Sequence, residues 1–360
     1  MELSQLRQLV FDLCQSPGTP GDETQAAQTA AQALARYATV RLDGNGNVLG
    51  EMGPQEGKPL LLDAHMDQIG LIVTQIDPKG FLHVAPCGGM DRRVLPGCPV
   101  RVLGRRVTPG IVCCLPPHLT NGEDKNAAPP VADMAVDVGL PAETARRWIA
   151  PGDRIVVSSS PKALLGNRIS APALDDRAGV AALIRCAQLL QGKALPRRVV
   201  FLFSAQEETG SAGASTAAYR VDPAEAVAVD VDFAQQPGVK PENAGRLGGG
   251  PMIAVAPALS HRVYTGLRSL AQQQGIPVQS AVMGGGSGTN ADHIAVTRRG
   301  VPCGVLSIPQ RSMHTAAEIC DLQDIEHTAQ LLAAYAQQGG FCPNETEGEC
   351  AQDAQIEYMI

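Results

Sequence analysis

Apolar runs that stop abruptly at histidine or acid organise this chain. Val199-Val200-Phe201-Leu202-Phe203 is continuously apolar and then gives way to Ser204-Ala205-Gln206-Glu207-Glu208-Thr209-Gly210. Such a run predicts a strand buried on both faces, as in a parallel sheet, and a helical period does not fit it. Leu60-Leu61-Leu62 ends in Asp63-Ala64-His65-Met66-Asp67, and residues 226–229 end in Asp230-Val231-Asp232. Val305-Leu306-Ser307-Ile308-Pro309 runs into Gln310-Arg311-Ser312-Met313-His314. Between these runs the period lengthens. Leu3, Leu6, Val10 and Leu13 share one helical face, as do Val180, Ile184, Ala187 and Leu190. Helical patterns cover residues 26–36, 176–191, 260–274 and 321–338. Alternating strands and helices over residues 1–67 and 165–340 predict an α/β sandwich around a mostly parallel sheet.

The texture changes between residues 68 and 164. Short runs at 70–77, 81–86, 99–103, 110–115 and 154–158 are separated by Gly and Pro, which predicts a small all-β barrel inserted into the α/β domain. Residues 121–130 are polar and Pro-rich and read as a mobile loop. Residues 341–360 carry Glu345, Glu347, Glu349 and Asp353 and read as an acidic, poorly ordered tail.

Chemistry concentrates where the strands end. In open α/β sheets, ligands bind beyond the carboxyl ends of the strands. Ionised carboxylates buried there cost several kcal/mol each unless a cation or proton compensates them. Of the adjacent Glu207 and Glu208, one could hold a metal while the other moves protons. His65 could bind a metal through one ring nitrogen, with Asp67 orienting the ring. Asp175 and Asp176 stand at the head of a predicted helix, and His314 follows the last strand. Alone, each has a plain explanation: a helix cap for the aspartates, a surface loop for His314, solvated loop acids for the glutamates. Together they point to one cavity.

The residues His65-Met66-Asp67-Gln68-Ile69-Gly70, Ala173-Leu174-Asp175-Asp176-Arg177-Ala178-Gly179 and Gln206-Glu207-Glu208-Thr209-Gly210-Ser211-Ala212-Gly213-Ala214 form an ordered set. Val229-Asp230-Val231, Gly248-Gly249-Gly250-Pro251 and Arg311-Ser312-Met313-His314-Thr315 with Glu318 extend it. In these the chain resembles the tetrahedral, dinuclear-metal aminopeptidases, which include glutamyl and deblocking aminopeptidases, some bearing an endoglucanase label. The resemblance implies a zinc-exopeptidase-like fold and two divalent metal ions per subunit, Zn²⁺, Co²⁺ or Mn²⁺. It implies that Asp175 bridges them, that His65 and Asp230 complete one site, and that Glu208 and His314 complete the other. Glu207 would then be the general base acting on a metal-activated water, and Asp67 the partner of His65. A cis peptide bond between Asp175 and Asp176 is also implied, as is a dimer-based dodecamer assembled through the insert. Donors of this kind, two His and three carboxylates without Cys, suit those metals. Gln68, Asn290 and Ser312 depart from the family pattern, and none is an implied ligand.

Composition excludes other classes. The chain has 360 residues, 44% of them hydrophobic, enough for a substantial core. A net charge of -7 gives no basic patch for nucleic acid, and no apolar run reaches membrane-spanning length. The ten cysteines are scattered without a Cys-x-x-Cys pair and read as buried thiols of a cytoplasmic protein. A glycoside hydrolase would also use paired carboxylates. It usually needs an aromatic platform, however, and aromatics are only 3% of this chain, with Trp148 in the insert. An inactive assembly protein would have no need of the full set of acids and histidines. The Gly284-Gly285-Gly286-Ser287-Gly288 stretch lacks the Lys of a phosphate loop and reads as a wall of the substrate cleft. His118 is open to a catalytic or a loop role. His83, His261, His293 and His327 read as structural.

Overall fold

The computed structural model describes residues 1–115 and 128–341. His118, most of the 121–130 loop and the tail beyond Phe341 lie outside the described residues. The central sheet has eight strands, in the order Thr39–Leu42, Val48–Met52, Val199–Ser204, Leu60–His65, Glu225–Phe233, Cys303–Gln310, Met252–Val255 and Gln279–Val282. The four middle strands are parallel, which is why they read as unbroken apolar runs. The flanking hairpin of Thr39–Leu42 and Val48–Met52 joins the sheet antiparallel, as does Met252–Val255. Sheet edges tolerate such additions.

Alternate side chains of the middle strands bury into two separate cores. Leu60, Leu62, Phe201 and Phe203 face the helices Leu3–Gln15, Thr24–Leu34, Leu174–Leu190 and Leu322–Gln338. Leu61, Val200 and Leu202 face the helices Ala212–Val221 and Asn290–Ala295. The sheet is thus covered on both sides, making three layers. The 26–36 and 321–338 helical patterns begin slightly displaced, at Thr24 and, after the N-cap Asp321, at Leu322.

Register aligns the carboxyl ends of the middle strands. His65 sits beside Ser204, and Asp230 beside Ser307. A second small sheet, Lys162–Ala163, Arg168–Ala171 and Glu318–Asp321, has no counterpart in the sequence patterns and pairs Ala171 with Glu318. It carries the chain from His314 back toward the start of the Leu174–Leu190 helix.

The barrel is closed, in the order Gly70–Ile76, Leu82–Cys87, Ala135–Asp137, Val107–Cys113, Pro99–Leu103 and Arg154–Val157. The short strand Ala135–Asp137 and the helix Ala142–Trp148 escape a sequence reading, because three residues carry no alternation signal and a two-turn helix carries little periodicity. Along Val107–Cys113 burial alternates, with Val112 inward and Val107 and Ile111 outward. That alternation corrects the expectation of buried cysteines at this point. Val112 takes the inward position, so Cys113 turns outward and is half-buried; Cys114, past the end of the strand, packs half-buried on the barrel core, whereas Cys14, Cys186, Cys303 and Cys320 are buried. All the described cysteines are free thiols.

Candidate active site

Asp175 lies at the focus of the aligned strand ends. Its Oδ1 is 3.0 Å from His65 Nε2, and its Oδ2 is 3.2 Å from His314 Nε2. Each carboxylate oxygen therefore belongs to a different group of donors. His65, Asp175 and Asp230 form one cluster of candidate ligand atoms, and Asp175, Glu208 and His314 form the other. Within them, His65 Nε2 is 3.9 Å from Asp230 Oδ1, and His314 Nε2 is 3.3 Å from Glu208 Oε1. The peptide bond between Asp175 and Asp176 is cis. Asp176 turns inward and accepts the Gly179 N–H at 3.0 Å, and a Cβ at position 179 would overlap its carboxylate. The glycine of the Asp-Asp-Arg-Ala-Gly run is thereby explained.

The turn that carries Glu207 and Glu208 is gripped from beneath. Four successive N–H groups leave the strand Val199–Ser204 with no ladder partner, and each donates to a buried side chain. Ala205 donates to Asn47 Oδ1 at 2.9 Å and Gln206 to Glu23 Oε1 at 3.1 Å. Glu207 and Glu208 donate to Asp67 Oδ1 and Oδ2, at 3.0 and 3.1 Å. Gln206 takes a positive φ of 61°, which turns the chain so that both glutamates face the Asp175 centre. Asp67 thus does more than the resemblance implies. Its carboxylate holds the turn, its Oδ1 lies 3.5 Å from His65 Nδ1, and its backbone carbonyl is closer still to that nitrogen, at 3.1 Å.

Other supports carry no catalytic signature in sequence. Glu318 is buried, and its two oxygens accept the N–H groups of Asp175 and His314, at 3.1 and 3.0 Å. One carboxylate therefore sets the backbone of residues in both clusters. Gly88 and Gly89, at the end of a barrel strand, also reach the centre. A Cβ at Gly89 would lie 3.0 Å from His314 Nδ1, and one at Gly88 would lie 3.1 Å from Glu208 Cβ. A Gly-Gly pair closing a strand was the only signal for them, and it reads equally as a turn. Glu23 and Asn47 gave less, since each reads as a helix-start or turn residue. Asn290, one of the departures from the family pattern, donates from its Nδ2 to Asp63 Oδ2 and Ser204 Oγ, both at 2.8 Å. A neutral amide there joins two strand ends without adding another buried charge.

Electrostatics shows what the cavity favours. Burial pushes Asp230 well above the usual carboxylate range, opposed by His65 and reinforced by Asp175. Burial also pushes Glu207 up to about 7, opposed by His65 and reinforced by Glu208. Asp175 is held well below its usual range, because the hydrogen bonds of His314 and His65 outweigh its burial. His314 is pushed up to about 11 by its contacts with Asp175 and Glu208. The imidazoles are being asked to supply positive charge to a pocket of acids. Asp176 Oδ2, moreover, is buried without a hydrogen-bond partner. Two oxygen-and-nitrogen donor sets sharing a carboxylate, with surplus buried negative charge, fit a pair of divalent cations.

A cavity of about 330 Å³ opens beside the cluster, lined by Asp232, Phe233, Met283, Ser287, Thr289 and Met313 among others. The Gly-rich 284–288 stretch contributes Ser287 and Gly288 to its wall. His83, His261, His293 and His327 stand away from it.

Comparison with known proteins gives the class to which this fold and centre belong. A family model described as M42 glutamyl aminopeptidase matches residues 46–331. The lysyl aminopeptidase of Pyrococcus furiosus is 31% identical over 335 residues, covering 91% of this chain and 95% of its own. Among solved structures, an aminopeptidase from the archaeon Desulfurococcus kamchatkensis superposes with a TM-score of 0.87 at 31% identity, covering 93% of this chain and 95% of that one. A Pyrococcus horikoshii peptidase, described as able to assemble into a tetrahedron or a large octahedral shell, superposes with a TM-score of 0.83 at 30% identity. It covers 92% of this chain and 99% of its own. The chain belongs to the M42 glutamyl aminopeptidase family.

Proposed function

We propose that this protein is a dinuclear metalloaminopeptidase that removes N-terminal residues from peptides. The observation that carries the reading is the division of Asp175, whose two oxygens face two donor clusters. His65 and Asp230 would hold one cation, Glu208 and His314 the other, and Asp175 both. When bound there, divalent cations would supply Lewis acidity for the scissile carbonyl and the attacking water.

The residues of the chain do the rest. Glu207 lies on the cavity wall and takes the proton of the attacking water. The same carboxyl then protonates the departing amine. Asp67 fixes the backbone of Glu207 and Glu208, so the proton carrier and the ligand beside it keep one geometry. Glu318 does the same for Asp175 and His314. A glycosidase reading gains no support from the cavity, since Phe233 is its one aromatic wall apart from the histidines, among the described residues.

Assembly through the insert belongs to the same proposal. Leu95, Val102 and Val112 fill the barrel, while Val94, Val107, Ile111 and Leu115 stay 43 to 65% exposed. Apolar side chains left outside so small a barrel suit a subunit interface. A dodecameric cage built this way would admit unfolded peptides to the cavity and exclude folded proteins. Light scattering tests it, and a stable monomer at micromolar concentration rules it out. The activity is tested by assaying peptides with free and with acetylated N-termini in the presence of Zn²⁺, Co²⁺ or Mn²⁺. Cleavage of the free peptides alone is expected, and activity indifferent to metal removal would overturn the reading.

A further inference from the structure

Beyond the two histidines of the cluster, the charge on the cavity wall is one-sided. Among its described lining residues there is no Lys or Arg. Arg246 and Arg262, the cations that an acid-selecting pocket could have recruited, are exposed and stand outside it. Asp232, in contrast, is on the wall. It follows Asp230 by two residues on the strand Glu225–Phe233, so both side chains leave the same face, roughly 7 Å apart along the strand. Its Oδ1 accepts the Phe233 N–H at 2.7 Å, and no cationic side chain among the described residues acts on it. Phe233, Met283 and Met313 supply apolar surface in the same cavity.

We infer that Asp232 is a specificity residue that selects peptides with a basic N-terminal residue, lysine or arginine. The inference rests on the aminopeptidase reading above and names its substrate class. With the reacting carbonyl at the Asp230 end, the four-carbon stem of a lysine spans the interval to Asp232. Basic side chains of this kind lay their methylenes on apolar surface and keep the charged head on a polar partner. The thioethers of Met283 and Met313 adapt to such a stem. An N-terminal glutamate would instead bring a second carboxylate to Asp232 with no cation to offset it, and that repulsion discriminates against acidic residues.

The test measures kcat/KM of the intact, metal-supplied protein on aminoacyl anilides of Lys, Arg, Leu, Met and Glu. Lys and Arg are expected to lead and Glu to trail. In Asp232→Asn the lysyl-to-leucyl ratio is expected to fall by about tenfold or more. Asp232→Glu, which keeps the charge, should recover part of that ratio, which a purely structural role would not predict. Leu or Glu leading in the unmodified protein overturns the inference, as does an unchanged ratio in Asp232→Asn. Failure to turn over any of these substrates overturns the aminopeptidase reading itself, and this inference with it.

Discussion

His314 Nδ1 lies 2.8 Å from the backbone carbonyl oxygen of Gly89. That contact joins the barrel insert to the catalytic layer, because Gly89 follows the barrel strand Leu82–Cys87 and His314 follows the sheet strand Cys303–Gln310. A carbonyl acceptor fixes the proton on Nδ1 and leaves Nε2 free for a cation beside Asp175 and Glu208. Replacing Gly89 by Val should push the ring away and weaken the cation site proposed at Asp175, Glu208 and His314 by about 10- to 100-fold. Calorimetric titration with Zn²⁺ or Co²⁺ reads this directly. Two unaltered sites would mean that the Gly89 contact is incidental.

Glu207→Gln tests the proposed division of roles between Glu207 and Glu208. The variant should keep its cations and its assembly but lose about 10²–10⁴-fold in kcat. If both cations are lost instead, the roles of Glu207 and Glu208 are exchanged.

Away from the centre, Asp324 offers a pH test of stability. It is buried, and its two oxygens accept the N–H groups of Gly248 and Gly250, at 2.8 and 2.7 Å. Burial pushes its carboxyl up to about 6 all the same. A carboxyl whose folded pKa exceeds its unfolded value binds extra protons on folding. The stability it contributes is full below about pH 4 and is lost as pH rises through about 6. Asp324→Asn cannot ionise, so its melting temperature relative to the unmodified protein should rise between those pH values. A difference that stays flat with pH would show that Asp324 is not the titrating group.

Much of this was legible from the ends of apolar runs. His65 and Asp230 end apolar runs within their strands and His314 follows another, the runs being apolar because the sheet is covered on both faces, and parallel strands bring those ends to one edge. Glu207 and Glu208 could be named as a pair for the same reason, but the grip of Asp67 on their backbone could not be foreseen. It depends on N–H groups that the sequence does not show to be unpartnered. Glu318 stood beside a recognisable motif, yet its role emerges only where Glu318–Asp321 pairs with Arg168–Ala171. Gly88 and Gly89 come from the barrel, whose docking on the α/β layer leaves no trace in local periodicity. Asp232 looked like a second acid at a strand end until the cavity grouped it with the apolar side chains of Phe233, Met283 and Met313.

Metal stoichiometry of purified variants decides whether Asp175 is shared between two cations. Plasma mass spectrometry with calorimetric titration should give two divalent ions per chain for the unmodified protein and mainly one loss for His314→Ala. Asp175→Ala should lose both together, with circular dichroism confirming that the fold persists. A folded Asp175→Ala protein that still binds one ion at the unmodified affinity would contradict the shared-carboxylate centre.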